Sequence, residues 1–152
     1  MGFTQDLLFG KKYEKESEKF LVYETIEYAP DKKFSKYDFV TTLNGVVTKY
    51  EVKSDRLAYS TGNLAIEFMC NGVDSGVNAT EADYYLYYVI KPDGYDLYKI
   101  PVEVLKKNLN GRIVNGGDGY RSRMSLVNIV NFYDYKFMII NQNGKGKEKE
   151  NQ

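Results

Sequence analysis

The amino-acid sequence predicts an α/β (α+β) fold. Three features predict it: a charged N-terminal segment with helical character, two β-rich runs joined by Asn44-Gly45, and the near-continuous apolar run ADYYLYYVI. Residues from about Gln5 to Phe20 read as a helix capped by Thr4, with Lys11, Lys15 and Lys19 on one stripe. LVYETIEYA, residues 21–29, alternates and is rich in β formers, so it reads as a strand followed by the polar loop APDKKFSK. Next comes YDFVTTLNGVVTKYEVK, in which Asn-Gly marks a two-residue hairpin turn requiring positive φ at both residues. A loop, SDRLAYSTG, leads to the strand NLAIEFMC. A second polar loop, NGVDSGVNATEA, leads to ADYYLYYVI, whose unbroken apolar character suits a strand buried on both faces. Asp93-Gly94 turns the chain into YDLYKI, and Pro101 opens a short helix, PVEVLKKNL, with Val102, Leu105 and Leu109 as its apolar stripe. VNGGDGYRSR reads as a glycine-rich basic loop; SLVNIVNFYDYKFMII reads as strand, helix or both. One domain over residues 1–140 is expected, with a disordered polar tail over 141–152.

Composition narrows the chemistry. The 152 residues include no histidine and one cysteine, Cys70. That rules out an internal disulfide, histidine-ligated zinc, and Ser-His-Asp or Cys-His catalysis. Hydrolytic chemistry must then run on carboxylates, lysine, arginine or tyrosine, and any metal must sit among oxygen donors. Basic and acidic residues balance at 21 each, so this is no strongly basic nucleic-acid binder overall. Basic groups around a site must be gathered locally from Lys11, Lys15, Lys53, Lys106, Lys107, Arg121 and Arg123. No apolar run approaches the roughly 20 residues that cross a bilayer, and MGFTQDLLFGKKYEKE holds no long apolar signal segment. A cytoplasmic location without membrane partners is expected. The abundance of Lys, Asn, Tyr and Ile fits an AT-rich genome, compatible with a phage or virus and then with a host-cell cytoplasm.

The hairpin carries the candidate site. A two-residue turn sets Leu43 against Val46 and, counting back, Asp38 against Glu51, with Cβ atoms about 4.5–5.5 Å apart. Lys53 shares their face, and Phe39, Leu43, Val46, Tyr50 and Val52 form the opposite, apolar face. Opposed carboxylates destabilise a hairpin, and a divalent cation between them removes the repulsion. Asp38 and Glu51, helped by the Val52 carbonyl, are thus candidate ligands for Mg²⁺, for which Mn²⁺ can substitute. Lys53 is placed to position water or offset transition-state charge in phosphodiester hydrolysis.

Asp38, twelve intervening residues and then Glu51-Val52-Lys53 resemble the PD-(D/E)xK nuclease signature, with Tyr37 in the place of its proline. The block YEVKSD…TGNLAIEF…SGVNATEADYYLYY and the later KIPVEVLKKNL resemble the small viral and phage nucleases described as Holliday-junction-resolvase-like. The likeness covers roughly residues 6–130. It implies a restriction-endonuclease-like αβββαβ core, a mixed central sheet flanked by helices, and an endonuclease acting on DNA, possible selectivity for branched structures included. It also implies a first-helix glutamate completing the site. Glu14 in FGKKYE fits that place, with Glu16 and Glu18 as alternatives.

Other residues have two readings each. Glu67 is either a carboxylate beside the metal ligands or DNA, or the polar member of an edge strand. Ser75, Gly76, Thr80 and Asp83 either face the substrate or serve turns and caps. Arg121 and Arg123 either grip phosphates or are solvated loop charges. A homodimer is expected if both strands of a duplex or junction are cut symmetrically. Two competing functions stand beside the DNA endonuclease: an inert DNA-binding or structural protein on a nuclease fold, and an RNase H-like nuclease, whose site lacks an E-x-K lysine.

Overall fold

The computed structural model describes residues 3–30, 36–117, 119, 121–141 and 146–148, with side chains from residue 9 and none for 146–148. The chain is a mixed α+β protein: a mixed seven-stranded sheet, a smaller four-stranded sheet and a few helices. α1 spans Phe3–Glu16 and runs on into a 3-10 turn over Ser17–Lys19. Thr4 therefore lies inside the helix rather than capping it.

The first strands are β1 (Thr25–Tyr28), β2 (Phe39–Leu43) and β3 (Val46–Asp55). Asn44 and Gly45 have φ of 51° and 77°, and the ladder runs from Leu43↔Val46 to Phe39↔Tyr50, the register that Asn-Gly requires. β1 is shorter than the expected 21–29. It pairs antiparallel with β2, its last contact being Glu24 N–H to the Thr42 carbonyl, and β2 ends at the turn one residue later. The residues before Glu24 have no strand to pair with.

β3 is followed by a single helical turn, α2 (Ala58–Thr61), then β4 (Asn63–Cys70), β5 (Val73–Asp74) and a 3-10 turn over Gly76–Asn78. β6 (Tyr84–Lys91) then pairs parallel with β3 and antiparallel with β7 (Gly94–Pro101). α3 covers Val102–Lys107, and β8 (Arg112–Gly116) and β9 (Ser122–Asn128) form a hairpin that takes in much of the expected basic loop. The undecided segment resolves as β9, a 3-10 stretch over Ile129–Tyr135, and β10 (Lys136–Asn141). In the expected polar tail, Gly146–Glu148 forms β11 against β10, since backbone pairing needs no apolar side chain.

The large sheet has the order β1-β2-β3-β6-β7-β10-β11, and the small one β5-β4-β9-β8. Alternation along β6 assigns its side chains to two cores. Leu86 and Tyr88 join Tyr13, Phe39, Tyr50 and Leu97 beneath α1. Tyr85, Tyr87 and Val89 join Leu64, Ile66, Val127 and Phe132 on the side of the small sheet. α1, the large sheet and the small sheet are therefore stacked layers. The second face of the central sheet is covered mainly by another sheet rather than by the expected helices. Two phenols at the centre of β6 find partners: Tyr88 shares a 2.7 Å hydrogen bond with Ser17, and Tyr87 donates toward Asp55 at 3.1 Å and the Ala65 carbonyl at 3.3 Å. No helix among the described residues is long and apolar enough to cross a membrane.

Phe132 is wholly buried in the core between the sheets. Phe132→Ala should destabilise the protein by about 3–5 kcal/mol through the cavity it leaves, read as a lower urea midpoint at constant slope.

Candidate active site

β2 and β3 part company at Asp38. The Asp38 N–H still donates to the Tyr50 carbonyl at 2.8 Å, and the Asp38 carbonyl accepts from Ala29 at 2.9 Å. Beyond this point β3 has no β2 backbone beside it. The Asp38 side chain takes over: its Oδ2 accepts the Val52 N–H at 2.7 Å. In an extended strand the N–H and C=O of one residue leave on the same side. The Val52 carbonyl therefore also points toward Asp38.

Glu51 and Lys53 alternate with Tyr50 and Val52 and so face the small sheet, next to Tyr85 and Tyr87 on β6. They form an ion pair at 3.3 Å in which the Glu51 side chain is 16% exposed and that of Lys53 43% exposed. Together with Asp38 they line a cleft of about 270 Å³ completed by Tyr37, Glu67, Asp74, Ser75, Gly76, Ala79, Thr80 and Tyr85. Asp38, Glu51, Lys53, Glu67, Ser75 and Thr80, all expected from sequence, are brought together here.

The electrostatics of this cleft are set first by burial. Burial pushes the carboxyl pKa values of both Asp38 and Glu51 up, and Asp38 adds to the shift at Glu51. Lys53 and the Val52 N–H only partly offset burial at Asp38. For Lys53 burial opposes the charge, but Glu51 and Asp38 outweigh it and hold the ammonium above its ordinary pKa. Glu14 is pushed up to about 7, first by burial and then by Asp38 and Glu51. The first helix therefore brings Glu14 within electrostatic reach of both hairpin acids, together with Lys11, which acts on Glu14 and Asp38. The alternatives are engaged elsewhere. Glu16 accepts from Tyr95 at 2.6 Å and pairs with Lys19, and Glu18 is bound by Tyr28 and Lys15.

Other expected residues lie apart. Asp83 accepts the Lys49 N–H at 2.8 Å and binds the strand edge without lining the cleft. Met124 on β9 faces Glu67 across the small sheet, so its neighbour Arg123 points to the opposite, exposed side. Arg121 is exposed beyond the start of β9. Neither arginine lines the cleft, and Lys106 lines a separate groove beside β3 and β7. The expected basic surface around the site reduces to Lys53 and Lys11. Conversely, Tyr85 and Asp74 line the cleft and were not singled out from sequence; the Glu51↔Tyr85 pairing that places the tyrosine is a parallel contact between distant segments.

Among the described residues no three of His, Cys, Asp and Glu stand close enough to cage a metal ion. The donor set nevertheless fits a hard divalent cation of the Mg²⁺ kind. Such an ion takes one or two carboxylates and fills its remaining positions with water and phosphate oxygens. Burial raises the pKa of both acids, and Ser75 Oγ, buried in the cleft wall, has no hydrogen-bond partner. Gly76 keeps this wall close: at φ +52° an added Cβ would stand 2.1 Å from the Glu67 carbonyl oxygen. No protein-family model, curated protein or solved structure matches the chain.

The metal-free protein should show a defined pH dependence at Glu14. Its ordinary value is 4.5 and its folded value about 7, so the fold holds this proton more tightly than the unfolded chain does. The resulting stabilisation is complete below the unfolded value and is lost as pH rises through about 7. Glu14→Gln should therefore gain in melting temperature over the parent as pH is raised from about 5 to about 7.5, in EDTA. A difference that does not change with pH would overturn the raised pKa of Glu14, of which burial is the first cause and Asp38 the second.

Proposed function

We propose that this chain is a metal-dependent endonuclease of the PD-(D/E)xK type, hydrolysing phosphodiester bonds in DNA. The observation that carries the proposal is the gathering of Asp38, Glu51 and Lys53 in one cleft, with Glu14 coupled to them from the first helix. The order of α1, β1, β2 and β3 supports this reading as the first four elements of the expected core, while the helix expected after β3 is a single turn, α2. Asp38 and Glu51 would hold Mg²⁺, with the Val52 carbonyl beside them. The ion supplies a more acidic bound water and positive charge against the phosphoryl oxygens.

The chain's own residues do the rest. The Val52 N–H fixes one Asp38 oxygen at 2.7 Å and leaves the other for the cleft. Lys53 presents its ammonium where a phosphate would enter, and its raised pKa keeps it charged at neutral pH and above. Glu14, titrating near neutrality, suits uptake or release of a proton beside them. Tyr85 closes the floor, its phenol kept protonated by burial and by Glu51 and Glu67.

One observation favours a second reading, an inert DNA-binding or structural protein on the same scaffold. Lys53 already pairs with Glu51, which neutralises part of the site without a metal. Incubation with branched, linear duplex and single-stranded DNA, in Mg²⁺ or in EDTA, decides between the two. Cleavage in Mg²⁺ alone supports the enzyme, and no cleavage of any substrate supports the inert protein.

Glu51→Gln and Lys53→Ala should both fold as the parent does, because neither side chain belongs to the apolar cores. Glu51→Gln should lose activity by orders of magnitude, and Lys53→Ala by about 10²–10³ in rate. Arg123→Ala, off the cleft, should cut nearly as fast as the parent. Parent-rate cleavage by a well-folded Glu51→Gln would rule this site out.

A further inference from the structure

The acid cleft does not end at Lys53. Lys53, Glu67 and Tyr85 also form one wall of a second, larger chamber of about 510 Å³. Its character is different. Beyond the shared residues it is lined by Leu57, Ala65, Ile66, Tyr87 and Met124, with Ser54, Asp55 and Arg56. Asp55 builds its lip: Oδ1 accepts the Leu57 and Ala58 N–H groups at 2.8 and 2.9 Å, and Oδ2 accepts from Tyr87. That cap sets α2 so that Leu57 is 70% exposed at the mouth, an apolar side chain held in solvent. Arg56 lies beside it with its guanidinium 4.5 Å above the Phe9 ring of α1.

We propose that this chamber receives the base of an unpaired nucleotide whose phosphate lies over Lys53, so that the site acts on single-stranded DNA. This rests on the nuclease reading above. The volume is in the range of small-ligand sites. Its accessible apolar wall, Leu57, Ala65 and Met124 backed by the buried Tyr85 and Tyr87, suits apolar contact with the face of a base, which needs no particular sequence. A duplex hides its base faces and turns phosphates outward. It would bring those phosphates against Leu57, Met124 and the acids Asp55, Glu67 and Asp74. An unpaired nucleotide brings one phosphate to Lys53 and Arg56, and its base to the apolar wall. Arg121 and Arg123, which a duplex track would need, are absent from both clefts.

The test uses the full chain with Ca²⁺ in place of Mg²⁺ and fluorescence anisotropy as readout. The probes are a labelled oligodeoxythymidine, the same strand in duplex, and an oligomer of the same length made of abasic sugar-phosphates. The oligodeoxythymidine should bind about ten-fold more tightly than either of the others. Leu57→Ala and Met124→Ala should each lower that preference several-fold. Leu57→Ala, altering an exposed side chain, should leave the melting temperature and calorimetric Mn²⁺ binding as in the parent. Equal binding of the duplex or the abasic oligomer overturns the base chamber, and Mn²⁺ binding with Mg²⁺-dependent cleavage then leaves the nuclease reading standing. Base-dependent binding without Mn²⁺ binding or any cleavage overturns the nuclease reading instead.

Discussion

The structure depends on β6 having no solvent face. Its side chains Tyr85 to Val89 are all buried, alternate members entering opposite cores. A strand covered on both faces needs a layer on each side, and α1 supplies one while the small sheet supplies the other. Because β6 lies parallel to β3, the chain cannot return by a hairpin and must leave the sheet between them. Residues 56–83 make that excursion, and in doing so they build α2, β4 and β5. The second wall of the cleft is therefore a consequence of how β6 is paired. Glu67, Ser75, Gly76 and Thr80 reach the hairpin acids because the crossover has to pass over that face.

The same geometry accounts for the electrostatics. Asp38 stands where β2 stops, and its carboxylate replaces the missing strand as partner for Val52. Glu51 and Lys53 face inward at a sheet surface that the crossover covers. Carboxylates in such a place lose hydration and repel one another, so they hold protons more firmly than in water. A structure selected only for stability would exchange one of them for an apolar or basic residue. Their gathering beside Lys53 and an unpartnered Ser75 hydroxyl is what the proposed nuclease site rests on.

In the proposed function the acid cleft and the apolar chamber divide two tasks along one wall. Lys53, Glu67 and Tyr85 belong to both, with polar groups gathered on one side and aliphatic ones on the other. Asp55 takes part without touching the acids: it caps α2 and fixes Tyr87, and thereby shapes the mouth of the chamber. The balanced net charge agrees with the proposed single-strand site, since holding one strand by its bases needs fewer cations than a track for duplex phosphates.

Local chemistry was legible in the sequence. Asn44-Gly45 dictates the turn and with it the Phe39↔Tyr50 register, so the sequence alone assigns Asp38, Glu51 and Lys53 to one face. The apolar run of β6 and the helix opened by Pro101 were equally plain, because period and turn residues act over a few neighbours. What sequence left open depended on contacts between distant segments. Glu14 is distinguished from Glu16 and Glu18 only by where Tyr13 docks α1 against Tyr88 and Tyr95, which sets the helix's rotation. Asp83, Arg121 and Arg123 were drawn to the site by residue type and removed from it by strand pairing. The parallel β3–β6 contact put Tyr85 on the cleft floor, and the small sheet gave the cleft its second wall. Neighbouring residues set which side chains share a face; only burial of β6 between two layers decided which faces meet.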